Sequence, residues 1–320
     1  MNWIKKTLGI GEKIKRLITK HRPTKEETEK SDWTSCCKGP ILKKDLEENL
    51  WCCNLCGKHH RINSRQRFDV FFGKNNYEIL ETPMPIDDPI SWKDTKSYTK
   101  RLKDARNKND QECAVLIAKG KINNIELVCA AMNFNFIGGS MGTAEGEVII
   151  SGIQHSIDNS IPFIIFTSTG GARMMESGLS LMQMTRTVLA VNQLKSKKLP
   201  YIVCLSSPTS GGVTASFAML GDIQIAEPGA EIIFAGRRVI ESTIKEELPE
   251  NFQTAEHTLK CGFIDTIIPR KNLPEKIGTL LSILLNRNSE VNSSSDNETS
   301  KDTKQLSKVC LLYTSPSPRD

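Results

Sequence analysis

A glycine pair occurs twice in this chain, in matching surroundings and about forty residues apart. Thr169-Gly170-Gly171-Ala172-Arg173-Met174 follows the apolar run 162–166, and Pro208-Thr209-Ser210-Gly211-Gly212-Val213 follows the run 201–205. Each pair leads into a stretch with helical periodicity. A strand–Gly–Gly–helix unit presents backbone N–H groups at a helix N-terminus, lets a ligand approach where no Cβ stands, and favours negative charge. That arrangement suits an oxygen that becomes anionic during a reaction. One such pair reads as a tight turn; two in equivalent positions favour function.

The doubled unit lies in a region, about 112–287, where strand-like runs alternate with helical patterns. Strands are predicted at 114–118, 127–132, 162–166, 201–205, 223–226, 232–234 and 263–268. Helices are predicted at 144–158, 172–193, 212–220, 238–248, 252–260 and 273–285. Repeated β-(β)-α units of this kind imply an α/β domain with largely buried strands. Three regions precede it: a basic leader over 1–31, a Cys/His-rich segment over 32–62, and a charged, helix-leaning stretch interrupted by Pro83, Pro85 and Pro89. The tail from 288 is rich in Ser, Asn, Asp and Lys and is expected to be disordered. Its last ten residues, 311–320, differ in character and read as a segment foreign to the fold.

At 320 residues the chain can bury a sizeable core. No apolar run approaches the roughly 20 residues that span a bilayer. Lys5, Lys6, Lys13, Lys15 and Arg16 interrupt the leader where a signal peptide would be apolar, so a cytoplasmic protein is expected. Much of the net charge of +6 lies in that leader, where Ile10, Ile14, Leu17 and Ile18 have roughly helical spacing. A basic amphipathic helix there could meet an anionic membrane or a nucleic acid; a solvated arm is the plainer reading.

Ten cysteines in a chain that is not exported argue for thiols and metal ligands. Cys53-Asn54-Leu55-Cys56 is a CxxC followed by Gly57, as in zinc knuckles. Cys36 and Cys37 stand upstream, with fifteen residues between Cys37 and Cys53. The spacing fits a Cys₄ ribbon, although adjacent side chains diverge. Three assignments compete: a structural zinc ion held by Cys36, Cys37, Cys53 and Cys56, the same set with Cys52 or His59 in place of Cys36, or no metal.

Two other function classes draw on the same residues. Gly138-Gly139-Ser140-Met141-Gly142 matches the G-x-S-x-G elbow of serine hydrolases, with Ser140 as nucleophile and Asp222 and His257 completing the chain order. That reading leaves both later glycine pairs unexplained and places His257 in mid-helix. A nucleic-acid module built on the zinc knuckle and the leader lacks interleaved aromatic residues.

The ordered set of motifs resembles the β-subunit family of bacterial-type acetyl-CoA carboxylase carboxyltransferases over roughly 30–285. The matching stretches include Phe134-Asn135-Phe136-Ile137-Gly138-Gly139-Ser140-Met141-Gly142, both glycine-pair segments, Ala226-Glu227-Pro228, Phe234-Ala235-Gly236-Arg237-Arg238 and Leu248-Pro249-Glu250-Asn251-Phe252-Gln253. The resemblance implies a crotonase-like α/β spiral of ββα units over 63–287 behind a small zinc ribbon over 32–62. It implies transfer of a carboxyl group from carboxybiotin to acetyl-CoA, giving malonyl-CoA for fatty acid synthesis. The implied partners are a carboxyltransferase α subunit in an α2β2 assembly, a biotin carboxyl carrier protein, and a biotin carboxylase, which alone uses ATP. By the same resemblance Gly211 and Gly212 face the thioester enolate, Gly170 and Gly171 shape the CoA pocket, and Arg237 and Arg238 meet CoA phosphates. The family's first cysteine pair is usually CxxC where this chain has Cys36-Cys37, and many relatives carry Ser at the position of Thr169.

Overall fold

The protein is described by a computed structural model covering residues 33–36 and 39–286. The leader, Cys37 and the tail lie outside the described residues, as do the expectations that fell on them. The first described element is a hairpin of β1 (Trp33–Cys36) and β2 (Gly39–Leu42), followed by α1 (Lys43–Glu48). Ile41, Leu46 and Cys53 are buried beneath it, with Cys36, Trp51 and Cys56 packed around them, so this module carries a small core of its own.

The main body begins with α2 (Ser64–Phe72), β3 (Tyr77–Ile79) and α3 (Tyr98–Asn109). Asn63 and Gln66 close a capping box at the start of α2, and Gly73, with φ of 88°, ends it. Strands β4 (Val115–Ile122) and β5 (Ile125–Met132) form a hairpin turned by Asn123 and Asn124, both at positive φ. Then follow α4 (Thr143–Asn159), β6 (Phe163–Thr169), α5 (Gly178–Ser196), β7 (Tyr201–Ser210), β8 (Ile223–Ala226) and β9 (Ile232–Ile233). Helices α6 (Arg237–Ile244) and α7 (Ala255–Lys260), strand β10 (Thr266–Ile267) and helix α8 (Leu273–Leu284) complete the chain.

The sheet runs β10-β8-β7-β6-β5-β4-β3, with β9 also paired to β7. It is parallel from β5 to β10 and antiparallel at the β3–β4–β5 edge. Side chains alternate with the strand period of two. Phe163, Ile165, Tyr201 and Val203 face α4 and α5, while Ile164, Phe166, Ile202 and Cys204 face α2 and α8. Each fully buried Ile or Phe among them contributes roughly 1.5–3 kcal/mol. Parallel strands place their C-terminal ends along one edge, and all of the chemistry-bearing loops emerge there.

Three of the boundaries that differ from expectation have their reason in specific contacts or backbone angles. Strand β7 continues through Ser210 because β9 pairs with Thr209 and Ser210. The helix expected over 212–220 reduces to one helical turn, Ala215 N–H to Gly211 O at 3.0 Å, and a 3-10 turn at Phe217–Met219. Thr214 and Ser216 hydroxyls bond to the carbonyls of Ile233 and Gly212, competing with helix propagation. The helix expected from 172 begins at Gly178, because Ala172 is bridged to Met141 and Ser177 stands at φ of 48°.

Candidate functional site

The fold brings the two glycine pairs against each other at the ends of neighbouring strands β6 and β7. A Cβ at Gly171 would lie 3.3 Å from Gly211 Cα, and one at Gly211 would lie 3.3 Å from Gly171 Cα. Both residues have positive φ, 107° and 62°. The expectation that both pairs present open N–H groups needs correcting. Gly170 N–H donates to Gly138 O at 2.8 Å and Gly171 N–H donates to Thr169 Oγ1 at 2.9 Å, so the first pair is closed. Gly211 N–H donates to Ile233 O at 3.1 Å. Gly212 N–H has no acceptor among the described residues, and it opens the single helical turn that follows.

Arg173, four residues past Thr169, is a buried strut. Its guanidinium reaches Glu145 Oε1 at 2.5 Å, Ser140 O at 2.6 Å, Ser140 Oγ at 3.1 Å and Tyr98 Oη at 3.0 Å. Glu145 in turn accepts from Ala114 N–H and Gly142 N–H, and Glu176 accepts from Tyr98 Oη and Thr143 N–H. Burial opposes the charge on Arg173, but Glu145 and Tyr98 outweigh it and hold its pKa above the ordinary guanidinium value. This network fixes the loop carrying Gly138 and Gly139 over the end of β6, where a Cβ at Gly139 would meet Ser168 O at 2.1 Å.

The same geometry removes the serine-hydrolase reading. Ser140 Oγ donates to Ile137 O and accepts from Arg173. Asp222 is held by Tyr201 N–H and Lys195 at the opposite end of β7, and His257 lies against Phe252. None of the three is a partner of another.

Glu227 forms a second buried hub that local sequence reading missed. Its carboxylate accepts from Arg67 at 2.6 Å and from Arg270 Nε and Nη2 at 2.8 and 2.9 Å. Burial alone would raise its pKa; Arg67 and Arg270 outweigh that and hold it well below the usual carboxylate value. Arg270 also donates to the carbonyls of Leu50, Trp51 and His60, clamping the cysteine module onto the sheet. His59 Nδ1 stands 3.7 Å from Glu227 Oε2. Burial works against its protonation, yet Cys52 and Glu227 carry its pKa up to about 9, whereas burial, Lys58 and Arg270 lower that of His60. The one available sequence signal was a carboxylate directly after the apolar strand 223–226 in Ala226-Glu227-Pro228.

Three of the four expected metal ligands come together. The Sγ atoms of Cys36, Cys53 and Cys56 lie within 4.8 Å of one another, Cys36 and Cys56 at 3.4 Å. A tetrahedral ion with thiolate bonds near 2.3 Å requires sulfur separations of about 3.8 Å, so the three fit such a site. Gly57, at φ of 74°, turns the knuckle, with its N–H on Cys53 O at 2.9 Å. Cys52 points elsewhere, toward Leu50 O, and is not among the three clustered thiols. Cys37 lies outside the described residues.

Arg237 bonds to Glu241 and to the carbonyls of Leu248, Pro249 and Glu250, tying α6 to the loop after it. Exposed apolar side chains include Met174, Leu181, Met182, Phe234 and Val239. Among the described residues no helix is long and apolar enough to cross a membrane.

Residues 88–316 match the carboxyl transferase domain family. The β subunit of acetyl-coenzyme A carboxylase carboxyl transferase from Pelagibacter ubique is 61% identical over 309 residues, covering 97% of this chain and 99% of the relative. Its counterpart from Rhizobium rhizogenes is 44% identical over 286 residues, covering 89% and 92%. Among solved structures, transcarboxylase 12S superimposes with a TM-score of 0.57 at 20% identity, over 69% of this chain and 41% of that one. The Pseudomonas malonate decarboxylase MdcD–MdcE heterodimer gives 0.52 at 19% identity, over 69% and 86%. These likenesses bear on architecture, and the architecture is the crotonase-like α/β fold expected from the sequence. The chain belongs to the family of acetyl-coenzyme A carboxylase carboxyl transferase β subunits.

Proposed function

We propose that this chain, paired with an α subunit, moves the carboxyl group of carboxybiotin to the methyl carbon of acetyl-CoA, forming malonyl-CoA. Carboxybiotin, presented by a biotin carboxyl carrier protein, supplies the carboxyl group and, on losing it, the base that takes the methyl proton. The task left to the protein is to hold two enolate-type oxygens as they gain charge. The observation that carries the reading is the Gly212 N–H, open just past the end of a parallel strand while the N–H groups of Gly170, Gly171 and Gly211 are bonded internally.

In this reading Gly212 donates to the thioester enolate, and Gly211 sets its direction through the bond to Ile233 O. Gly170 and Gly171 form the wall opposite, shaping the CoA pocket. The Arg237–Arg238 pair is assigned to the CoA phosphates, with the Arg237 guanidinium also bonded to the Leu248 carbonyl. The second oxyanion site is supplied by the α subunit, docking over exposed Met174, Met182 and Phe234. Cys36, Cys53 and Cys56, completed by Cys37, hold a structural Zn²⁺ that fixes the knuckle, and four thiolates leave it no open position. Domain limits of 32–62 for the ribbon and 63–287 for the transferase body follow.

The test is co-purification with the α subunit and measurement of malonyl-CoA-dependent carboxylation of free biotin. Turnover by the pair, and none by either chain alone, is expected. An intact complex that cannot carboxylate biotin overturns the proposal.

A further inference from the structure

Between the cysteine module and the C-terminal strand ends lies a cavity of about 370 Å³ whose charges do not balance. Its lining carries four cationic side chains, Lys58, Arg61, Arg67 and Arg270, against the single carboxylate of Glu227. Arg270 is saturated by both Glu227 oxygens and by the carbonyls of Leu50, Trp51 and His60. Arg67 gives one bond to Glu227 and one to Ser206 Oγ, of the five N–H donors a guanidinium carries. Lys58 and Arg61 stand exposed at the rim, Arg61 over the Phe134 ring.

His60 Nε2 is buried without a hydrogen-bond partner among the described residues, and His59 Nδ1 has only the 3.7 Å ion-pair approach to Glu227 Oε2. The His59 side chain is only 9% exposed. Buried polar atoms are seldom left unpaired, and one in the lining of such a cavity points to a ligand that completes it. Guanidinium, ammonium and imidazole groups converging from several sides match a tetrahedral oxyanion with an acceptor for each.

We propose that this cavity binds a phosphoryl group. The proposal rests on the carboxyl-transfer reading for its source, a phosphate of the CoA portion of the acyl substrate; free inorganic phosphate offers the same chemistry. Ser168 and Ser207 line the cavity, two and four positions before Gly170 and Gly211. At about 3.3 Å per residue the cavity lies roughly 7–13 Å from the glycines along the strands. A substrate anchored there by phosphate extends its remaining chain across the strand ends toward Gly212.

The test compares the full chain, assembled with its α subunit, with the rim variant Lys58→Gln/Arg61→Gln and with Arg67→Lys, which keeps the charge facing Glu227 but loses the fork. For each, kcat/KM is measured with acetyl-CoA and with acetyl-pantetheine, which has no phosphate, and the thermal midpoint is followed as inorganic phosphate is added. A ratio of acetyl-CoA to acetyl-pantetheine efficiency that falls roughly tenfold in the variants establishes the site with CoA as its source. An unchanged ratio, with a phosphate-dependent midpoint shift in wild type that the variants lose, establishes it for free phosphate. An unchanged ratio and no such shift overturn the proposal. Wild type that turns over neither acyl substrate overturns the carboxyl-transfer reading instead, and the phosphate titration then decides the cavity by itself.

Discussion

Gly171 and Gly211 meet backbone to backbone across the ends of β6 and β7, each so close that a Cβ on it would stand 3.3 Å from the Cα of the other. Their positive φ values and this contact exclude side chains for two independent reasons. Gly171→Ala is expected to destabilise the protein by about 1–3 kcal/mol. Gly170→Ala meets only Gly138 O, at an ordinary 3.5 Å, and is expected to change stability little. Urea unfolding of the two variants separates them; equal losses would show that the contact between the pairs is not what selects glycine.

Gly212 differs, because its φ is ordinary and a Cβ there meets the flexible Met184 side chain, 2.9 Å from Sδ. Gly212→Val should therefore fold, with Met184 displaced, yet mask the open N–H at the start of the turn. Losing such a donor costs roughly 10²–10³ in kcat, about 3–4 kcal/mol. Stopped assays of the α–β complex should show that loss with near-wild-type far-ultraviolet dichroism. Wild-type turnover would falsify the assignment of Gly212 to the enolate.

The strand period was readable because it is local. Phe163 to Phe166 alternate between two cores, and β6 begins within one residue of expectation. The polar end of β7, Ser206 to Ser210, carries no such pattern and is a strand because β9 reaches it from some twenty residues later. The glycine pairs announced a site, but not which N–H stays open. That depends on Gly138 O, Thr169 Oγ1 and Ile233 O, of which two come from distant segments. Glu227 stood in a recognisable motif, while Arg67 and Arg270, 160 and 43 positions away, gave no local sign of meeting it.

The cysteine cluster makes a choice between neighbours that differ by one position. Cys53 is buried with Cys36 and Cys56, whereas Cys52 turns its thiol toward Leu50 O. Cys53→Ser is expected to lose stoichiometric metal, and Cys52→Ser to keep it, by metal analysis of the purified protein. Because ligand binding free energy is folding free energy in so small a module, chelation should also open residues 33–62 to protease while the sheet stays intact. Metal retained by the Cys53 variant would disprove the ligand set.

Arg173 compensates Glu145 and Glu176, both almost fully buried. Arg173→Met leaves two carboxylates in the interior without their cation, a loss of about 3–5 kcal/mol. Arg173→Lys keeps the charge but not the fork that spans Ser140 O, Glu145 and Tyr98, so it should fall between wild type and Arg173→Met in denaturant midpoint. A lysine variant no better than methionine would show that geometry, rather than charge, holds this loop.

Glu227 sets an acid limit on the docking of the cysteine module. Burial raises its pKa, but Arg67 and Arg270 depress it well below the ordinary carboxylate value. A group whose folded pKa is depressed stabilises fully above its unfolded value, about 4.3 for glutamate. That stability is lost as pH falls through the folded value. Wild-type stability should therefore decline as pH drops below about 4.3. Glu227→Gln starts lower at neutral pH, by about 3–5 kcal/mol, because Arg67 and Arg270 lose their shared counter-charge. It should also decline less steeply in the acid range, having no proton to gain at that position. Urea unfolding across a pH series measures both quantities. Parallel acid slopes for the two proteins would remove Glu227 as the titrating group, whatever their difference at neutral pH.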